Sequence, residues 1–295
     1  MASLKETKKR IVSVKNTQKI TRAMKLVSSA KYARSVRYLL ASRPYRQEIK
    51  AMARRVLNGG ENIHPLMAET DEKKILLLLV ASDRGLCGSL NTNLFKKTLG
   101  FFRQVKAEGK TCTLGVWGKK AVNFAAKLDA KIWQSVDKQA SNFSFEMAVI
   151  LADSLCQEFL QGQFDAVYIA YSHYENALIQ KATVNKLLPL ARGFLLTSPS
   201  NQEQTAEEAR GRNELLEPRR EELLPALLKK ALAAEIYHSF LAGAASEHAA
   251  RMTAMDNATN NADDVISNLT LEYNQARQAA ITKELIEITS GAEAL

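Results

Sequence analysis

The chain has 295 residues, of which 46% are hydrophobic, and a formal net charge of +10. This composition is typical of a globular protein of one or two domains, and no run of 18 apolar residues is present that would predict a membrane span. The charge is uneven, because residues 1–57 contain 16 Lys and Arg against two acidic residues. The basic character therefore belongs to the N-terminus and favours acidic partners.

The N-terminal segment predicts a long helix. Residues 2–43 contain no Gly or Pro, which gives roughly 63 Å of helix, and the helical pattern continues to Leu57. Its apolar positions, with one drift of phase, are Leu4, Ile11, Val14, Ile20, Met24, Val27, Ala30, Val36 and Leu40. The same composition fits a mitochondrial transit peptide, but cleavage would remove the natural partner of the C-terminal helix described below.

In the middle of the chain, the spacing of apolar residues changes from a continuous helical pattern to short strand-like runs that alternate with helical segments. Ile75–Ala81 is a continuous apolar run and predicts a strand buried on both faces. Ser144 is a candidate N-cap for a helix over 145–160. The other predicted strands are 111–118, one at Ile132, 166–172 and 178–188, and the other predicted helices are 93–106 and 121–128. Alternation of strands and helices predicts an α/β body with a mostly parallel, Rossmann-like sheet and an antiparallel edge.

The C-terminal segment predicts the second long helix. A polar connection, 197–217, precedes Pro218, where a helix can begin, and only Pro225 and Gly243 interrupt the pattern before Ser290. A seam with a period of 3.5 residues predicts a left-handed coiled coil with the first helix. Its positions are Leu241, Ala245, His248, Met252, Met255, Thr259, Ala262, Ile266, Leu269, Tyr273, Ala276 and Ala280.

Length and chain direction predict how the two helices are arranged. Residues 244–290 would span roughly 70 Å as a helix, longer than a body of about 40 Å, so the coiled coil should protrude. The first helix enters the body by its C-terminal end and the last leaves by its N-terminal end, so they should pair antiparallel. The predicted domains are 1–57 and 218–295, which form one rod, and the body at 58–217. The alternative interpretation of the C-terminal segment is a long core helix of a helical bundle.

The search for chemical motifs finds no catalytic site. The loop SDRGLCGSL after the first strand stands where an α/β protein holds phosphate, but it matches neither GxGxxG nor a P-loop, so a tight turn is the favoured interpretation. The three cysteines form no CxxC, and the four histidines form no ligand cluster. We therefore expect no cofactor, no metal and no enzymatic activity. Binding of acidic protein loops, or nonspecific binding of nucleic acid by a basic coiled coil, remain as functions; a nucleotide-binding enzyme that uses SDRGLCG is a third hypothesis.

Four stretches resemble a known family, the gamma subunit of the rotary F-type ATP synthase. They are SVKNTQKITRAMKLVSSAK at 13–31, SDRGLCGSLNTNLFKK at 82–97, ASEHAARMTAMDNATNNADD at 245–264 and ITKELIEITSGAEA at 281–294. The resemblance implies a central rotor stalk in which an antiparallel coiled coil turns inside a hexamer of alpha and beta subunits. The implied partners are alpha, beta, epsilon and the c-subunit ring, with catalysis in beta, no specific nucleic acid, and membrane attachment only through the proton-driven ring.

The resemblance also implies particular contact residues. Arg22, Met24 and Lys25 resemble the segment that faces an acidic lever loop of beta. A second group, at the far end of the last helix, resembles the polar set that engages a catch loop of beta and the bearing tip; it comprises Arg277, Gln278, Thr282, Glu284 and the segment Ile288 to Leu295. Since the plastid redox loop is missing and the chain begins with Met1, a bacterial protein at the cytoplasmic face of the inner membrane is expected.

Overall fold

The computed structural model describes residues 4–58, 64–68, 70–128, 130–137, 143–190 and 219–293. The helices are α1 (Leu4–Asn58), α2 (Leu90–Ala107), α3 (Lys119–Ala125), α4 (Phe145–Leu160) and α5 (Arg220–Glu293), with a 3-10 turn at Pro65–Met67. The strands are β1 (Lys74–Val80), β2 (Thr111–Trp117), β3 (Lys131–Val136), β4 (Ala166–Tyr174) and β5 (Gln180–Leu188). The connection 197–217 and Pro218 lie outside the described residues.

The contacts divide the chain into two compact units. One unit combines residues 1–30 with 251–295, and we call it the two-helix unit; the other is 31–250, and we call it the sheet unit. Helices α1 and α5 each contribute to both units. The three-part domain division made from the sequence stays a prediction.

The sheet unit contains five strands in the order β3-β2-β1-β4-β5. The pairs β1–β2, β1–β4 and β2–β3 are parallel, and β4–β5 is antiparallel. The predicted fold class, a mostly parallel sheet with an antiparallel edge and long terminal helices, is confirmed. Helix α2 connects β1 to β2, and helix α3 connects β2 to β3. Each connection brings the chain back to the edge of the sheet where the previous strand began, so the next strand is parallel to it.

The central strand β1 is buried on both faces, as its apolar run predicts. Leu76 and Leu78 face one core, which also contains residues of α1, α4 and α5. Leu77 and Leu79 face a second core with residues of α2 and α3. Complete burial of each leucine stabilises the fold by about 1.5–3 kcal/mol, so β1 holds both layers of helices on the sheet.

Helix α5 packs on the sheet in this unit, and two residues of the predicted seam are buried there. Leu241 and Ala245 belong to the first core of the sheet unit, and Ser246 Oγ donates a hydrogen bond of 3.0 Å to the carbonyl of Ser172 in β4. This core also contains Leu39 of α1, so the predicted start of the coiled-coil seam at Leu241 stays a prediction. Heptad spacing could not reveal the packing on the sheet, because small residues on every side allow the helix to pack against several elements at once.

In the two-helix unit, α1 and α5 run antiparallel. Gln18 contacts Asp263, Thr21 contacts Thr259 and Lys25 contacts Asp256. Residue numbers rise along α1 while those of its partners fall along α5. The predicted antiparallel pairing of the two helices is therefore confirmed within this unit.

The buried face of α1 matches the prediction in its first turns, where Leu4, Ile11 and Val14 are half-buried, and departs from it further along. Ile20 is 60% exposed, and Val27 and Leu40 are exposed as well. Thr21 and Ser28 are buried instead, with Thr21 only 9% exposed. The buried row keeps a strict heptad step and accepts polar residues, so following the apolar residues alone led the prediction off this row at Ile20, Val27 and Leu40.

Two local details explain how helices begin and continue. Ser144 Oγ accepts a hydrogen bond of 3.3 Å from the backbone amide of Met147, which confirms the predicted N-cap of α4. Pro44 lies inside α1 and does not end it. Since proline has no amide hydrogen, it cannot donate to the carbonyl of Leu40, and α1 is weakened at that turn.

Candidate functional site

The place where an α/β sheet of this order binds ligands is occupied by the chain itself. Ligands usually enter beyond the carboxyl ends of the strands at the switch point, here between β1 and β4. Ser82 after β1, Ser172 in β4, and Gly243 and Glu247 of α5 line a cavity of only about 10 Å³ at this point. Such a space holds about one water molecule, whereas ligand pockets measure roughly 300–1,000 Å³. Helix α5 thus closes the crevice.

The loop SDRGLCG is held as a compact turn. Ser82 Oγ donates a hydrogen bond of 2.7 Å to the carbonyl of Arg84, and Asn91 Nδ2 donates to Ser82 Oγ at 2.7 Å. Leu86 and Gly88 have positive φ angles of 61° and 58°. Because the serine and asparagine side chains hold the loop itself, this geometry supports the tight-turn interpretation over a phosphate-binding one.

A buried charged cluster joins α1 to α5 in the sheet unit. Glu235 accepts a hydrogen bond from Lys50 Nζ at 2.8 Å and from Arg46 Nη1 at 3.2 Å. The Lys50 side chain is 8% exposed and that of Glu235 is 12% exposed. Burial alone would raise the pKa of the Glu235 carboxyl, but Lys50 and Arg46 together hold it below its usual value. Glu235 is therefore ionised, and the cluster locks the two helices together.

His238 lies one turn further along α5. It is 4% exposed, and its Nδ1 atom finds no hydrogen-bond partner within the described parts of the chain. Burial lowers the pKa of His238 to about 3, and the neighbouring positive charge of Arg46 adds to this effect. The ring is therefore neutral at physiological pH, and His238 packs as a core side chain that does not titrate there.

In the two-helix unit, the seam between α1 and α5 is polar along three successive layers. Thr21 Oγ1 and Thr259 Oγ1 are 2.8 Å apart, Lys25 Nζ lies 2.5 Å from Asp256 Oδ1, and Gln18 donates to Asp263. A shift of one heptad would keep a carboxylate, Asp263, beside Lys25 but would remove the Thr21–Thr259 contact, so the threonine layer is the one that depends on register. A seam of this kind fixes register at some cost in stability.

Helix α5 continues beyond the beginning of α1. Continuing the observed register brings Leu4 opposite the turn of α5 near Arg277, so the last described turns have no described α1 residue beside them. Ile281, Leu285 and Ile286 are exposed large hydrophobic side chains on this part of α5. An exposed apolar helix end of this kind suits contact with a partner.

The described ranges also bear on sites for metal ions and for the membrane. These ranges hold no group of three or more His, Cys, Asp or Glu side chains that could bind a metal ion. None of their helices has the length and apolar character needed to cross a bilayer. All three cysteines are buried and none forms a disulfide. Burial raises the pKa of Cys112 to about 12 and of Cys156 to about 11, so these two thiols are unreactive at neutral pH.

Sequence comparison decides the family. The family model described as ATP synthase matches residues 3–295. The ATP synthase gamma chain of Geobacter metallireducens is 40% identical and that of Geotalea daltonii 42% identical, each over all of this chain and 99% of the relative. The chain belongs to the ATP synthase gamma chain family. The gamma chain of Actinobacillus pleuropneumoniae is 39% identical over the full length of both chains.

Solved structures agree with this family. A chain of the central stalk and c-ring of the Tetrahymena thermophila mitochondrial ATP synthase is 25% identical and matches 81% of this chain and 99% of its own length, with a TM-score of 0.58. A chain of the Euglena gracilis mitochondrial ATP synthase is 18% identical and covers 99% of this chain and 94% of its own, with a TM-score of 0.66, which shows the shared fold. The sequence-based identification as an ATP synthase gamma subunit is confirmed.

The first group of predicted contact residues lies on one turn of α1. Arg22 is exposed, whereas Met24 and Lys25 are half-buried. Lys25 is already paired with Asp256, and the two side chains are 39% and 43% exposed. Arg22 is thus the more exposed of the two cations on this turn.

The second group lies on the extended end of α5. Arg277, Gln278, Thr282 and Glu284 are all exposed, and Thr282 Oγ1 donates to the carbonyl of Gln278 at 2.9 Å. The side chain of Ile288 and all of Leu295 lie outside the described residues. Arg277 follows Asp256 by 21 positions, so the structure separates the two groups by about 30 Å along α5 and does not gather them into one site.

Sequence reasoning missed the acidic residues that stabilise the seam. Asp256 and Asp263 of α5 contact Lys25 and Gln18 of α1. The available signal was charge, since residues 1–30 are strongly basic and residues 251–295 are acidic overall. Placing the two segments antiparallel at each possible register would have brought Lys25 beside Asp256.

Proposed function

We propose that this gamma chain is the rotating shaft of a proton-translocating ATP synthase. In this proposal, it turns with the membrane c ring and forces the three catalytic beta subunits in succession through substrate binding, synthesis and release. The chain itself performs no catalysis. It transmits torque by contact, so its two long helices must keep a fixed register and a defined surface.

The observation that carries the proposal is the register-specific polar seam of the two-helix unit. A shaft made only of leucine layers could slip by a heptad under load, because each layer would resemble the next. The Thr21–Thr259 layer distinguishes the registers, because a slip of one heptad would still bring Lys25 beside Asp263 but would place Thr21 opposite Ile266. This supports a mechanical role for the paired helices.

Electrostatics supports a contact between α1 and an acidic lever loop of beta. The exposed cations of the first turns include Lys15, Lys19 and Arg22, and Glu6 is the only acidic residue in the first 30. Arg22, Met24 and Lys25 would meet the loop. A half-exposed pair such as Lys25–Asp256 contributes only about 0–1 kcal/mol, so Lys25 can exchange Asp256 for a carboxylate of beta at little cost.

The extended end of α5 supports a second contact with the hexamer. Arg277, Gln278, Thr282 and Glu284 would form hydrogen bonds to a catch loop of beta, while Ile288 to Leu295 would be the bearing tip. Exposed apolar residues nearby would be covered by the apolar lining of the hexamer. Because charged hydrogen bonds are directional, this contact fixes the angle of the shaft relative to beta.

The remaining partners follow from the same proposal. Alpha and beta subunits form the surrounding hexamer, and the epsilon subunit and the c ring bind the sheet unit. The chain would lie at the cytoplasmic face of a bacterial inner membrane and be attached peripherally through the ring. The closed crevice beside Gly243 supports a non-catalytic role, because it leaves no room for a nucleotide at the switch point.

The α5 contact is tested in inverted membrane vesicles that contain the assembled synthase. Arg277→Ala combined with Gln278→Ala should lower ATP-driven proton pumping more than ATP hydrolysis, measured on the same vesicles. Asn274→Ala combined with Gln275→Ala, also on exposed positions of α5, is the matched control and should leave the ratio unchanged. Equal ratios in all three preparations would contradict the proposed catch contact.

A further inference from the structure

The sheet unit contains an apolar groove that none of the contacts above uses. We call it the aromatic groove; it is lined by Ser42, Tyr45, Phe145, Ala234 and Tyr237, and its volume is about 310 Å³. The lining residues come from α1, α4 and α5. This volume accommodates a large apolar side chain and its neighbours, in contrast to the filled crevice at the end of β1.

The walls of the aromatic groove are held in place by ring contacts. Phe145 packs edge-on against Tyr45 and against Tyr237, with centroid distances of 5.6 Å in both pairs. Ser42 Oγ donates to its own helix, at 2.8 Å from the carbonyl of Leu39, so its hydroxyl is engaged away from the groove. The groove is therefore preformed and apolar, which reduces the ordering cost of binding.

The local sequence explains why the space exists. Pro44 removes one backbone hydrogen bond from α1 at this turn, and the two facing helices present the small residues Ser42 and Ala234. Large residues at either position would fill the gap. The groove thus follows from specific residues of α1 and α5.

An exposed strip on α1 extends the groove in both directions. Tyr38, Tyr45 and Met52 recur at intervals of seven residues and are 46%, 45% and 45% exposed. They lie on one face of α1 and span about 21 Å. A helix of about four turns could place apolar side chains along such a strip, as in helix-in-groove recognition.

The charge around the groove specifies an acidic partner. Between residues 31 and 55, α1 carries eight Lys and Arg against Glu48 alone. Arg46 and Lys50 are both paired with Glu235, whereas Arg34 and Arg37 are exposed beside Tyr38, and Arg34 lies 5.5 Å from the centre of its ring. The ring of Phe145 lies at 87° to that of Tyr45 and at 80° to that of Tyr237. Rings at these angles do not suit the parallel stacking of nucleic acid bases.

We propose that the aromatic groove receives the apolar anchor of an acidic amphipathic helix from a partner protein. The anchor enters between Tyr45, Phe145 and Tyr237. Its flanking Asp or Glu residues pair with Arg34 and Arg37, and further apolar residues cover Tyr38 and Met52. The surface is separate from the residues assigned above to the beta contacts.

Site-specific photocrosslinking in the intact assembly tests this proposal. Tyr45 or Met52 is replaced by p-benzoylphenylalanine, the assembly is irradiated in native membranes, and the adducts are mapped by mass spectrometry. Leu40, which is 47% exposed on another face of α1, is the matched control position. We expect adducts at positions 45 and 52 to map to one acidic helical segment, with at least tenfold lower yield at position 40.

Two substitutions examine the groove and the charge separately. Ala234→Phe, which fills the groove, should lower the adduct yield at position 52 at least tenfold in an assembled complex. Arg37→Glu should lower it several-fold, and Arg37→Lys should restore it. Adducts to lipid, nucleic acid or a second copy of this chain, or no adduct in an assembled complex, would overturn the groove proposal. Failure to recover any assembly would instead count against the proposed shaft function.

Discussion

Lys25 of α1 and Asp256 of α5 form an ion pair of 2.5 Å across the seam of the two-helix unit. Lys25 is also one of the cations proposed to meet an acidic loop of beta. The same side chain therefore has an internal partner and a proposed external one. Separating these two roles is the first experimental problem that the structure poses.

A charge swap separates them. Lys25→Glu places a carboxylate beside Asp256 and beside the acidic loop, and should weaken both the seam and coupling. Adding Asp256→Lys restores the internal pair, so thermal stability should recover to within about 1 kcal/mol of wild type while the ratio of proton pumping to ATP hydrolysis stays low. Full recovery of coupling in the double variant would show that Lys25 acts only within the shaft.

Arg22→Glu is the companion change, because Arg22 is exposed and the seam contacts described above are made by Gln18, Thr21 and Lys25. We expect an unchanged melting temperature, an assembled complex and reduced coupling. Loss of assembly would indicate that Arg22 supports the fold of the shaft instead. Arg22→Lys should keep most of the coupling.

Packing of the seam is tested at Ala262. This residue is 8% exposed, so Ala262→Leu should overpack the seam and lower the free energy of unfolding by about 1–3 kcal/mol. Ala276, which the heptad pattern also placed on the seam, is exposed. Ala276→Leu should therefore change stability by less than about 0.5 kcal/mol. If both variants lost the same free energy of unfolding in urea, the two helices would not be closely packed at Ala262.

The buried carboxylate of Glu235 should be essential for the stability of the sheet unit. Glu235→Ala leaves Lys50 and Arg46 without their partner, which should lower the free energy of unfolding by about 3–5 kcal/mol. Asp153, which pairs with Lys229 at 3.4 Å near the surface, provides the control. Asp153→Ala should cost at most about 1 kcal/mol in the same denaturant titration. If Glu235→Ala and Asp153→Ala lowered the free energy of unfolding by similar amounts, the Glu235–Lys50–Arg46 cluster would not be shielded from water.

His238 predicts a loss of stability in mild acid. The pKa of His238 falls from about 6.5 in the unfolded chain to about 3 in the fold. Between these values the unfolded state binds the extra proton, so stability is complete above pH 6.5 and declines as the pH falls, by up to about 1.4 kcal/mol per pH unit. Unfolding measured from pH 7 to pH 5 should show this slope.

His238→Leu provides the comparison for that slope. Leucine has no proton to bind, so the variant should lose much less stability between pH 7 and pH 5 than wild type does. Glu235 titrates mainly below this range in the unfolded chain and should not obscure the difference. Parallel pH curves for the two proteins would show that His238 stays neutral in both states or titrates alike in both.

Short-range patterns in the sequence were sufficient for most of the sheet unit. The apolar run at Ile75–Ala81 identified a strand buried on both faces, and Ser144 identified the start of α4, because each signal acts within a few residues. Pro44 and Pro225 did not end their helices, since packing along α1 and α5 outweighs the loss of one backbone hydrogen bond. Propensity gave no measure of that packing.

Long-range register was beyond the sequence patterns. The buried row of α1 uses Thr21 and Ser28, while Ile20 and Val27 face outward, so apolar periodicity identified the wrong residues in this part of the helix. The partner of Lys25 depended on the register of two segments separated by more than 200 positions. The aromatic groove likewise requires Tyr45, Phe145 and Tyr237 to meet from three helices. The proposed beta-contact residues came from family resemblance and remain predictions.

The central claim is that this chain is the shaft of an ATP synthase. The most direct measurement is to purify the tagged chain from its native membranes, weigh the intact complex and assay ATP hydrolysis. We expect one copy of the chain in a large multi-subunit assembly that hydrolyses ATP. A chain that elutes alone, or with nucleic acid and without ATPase activity, would contradict the account and favour a basic coiled-coil module.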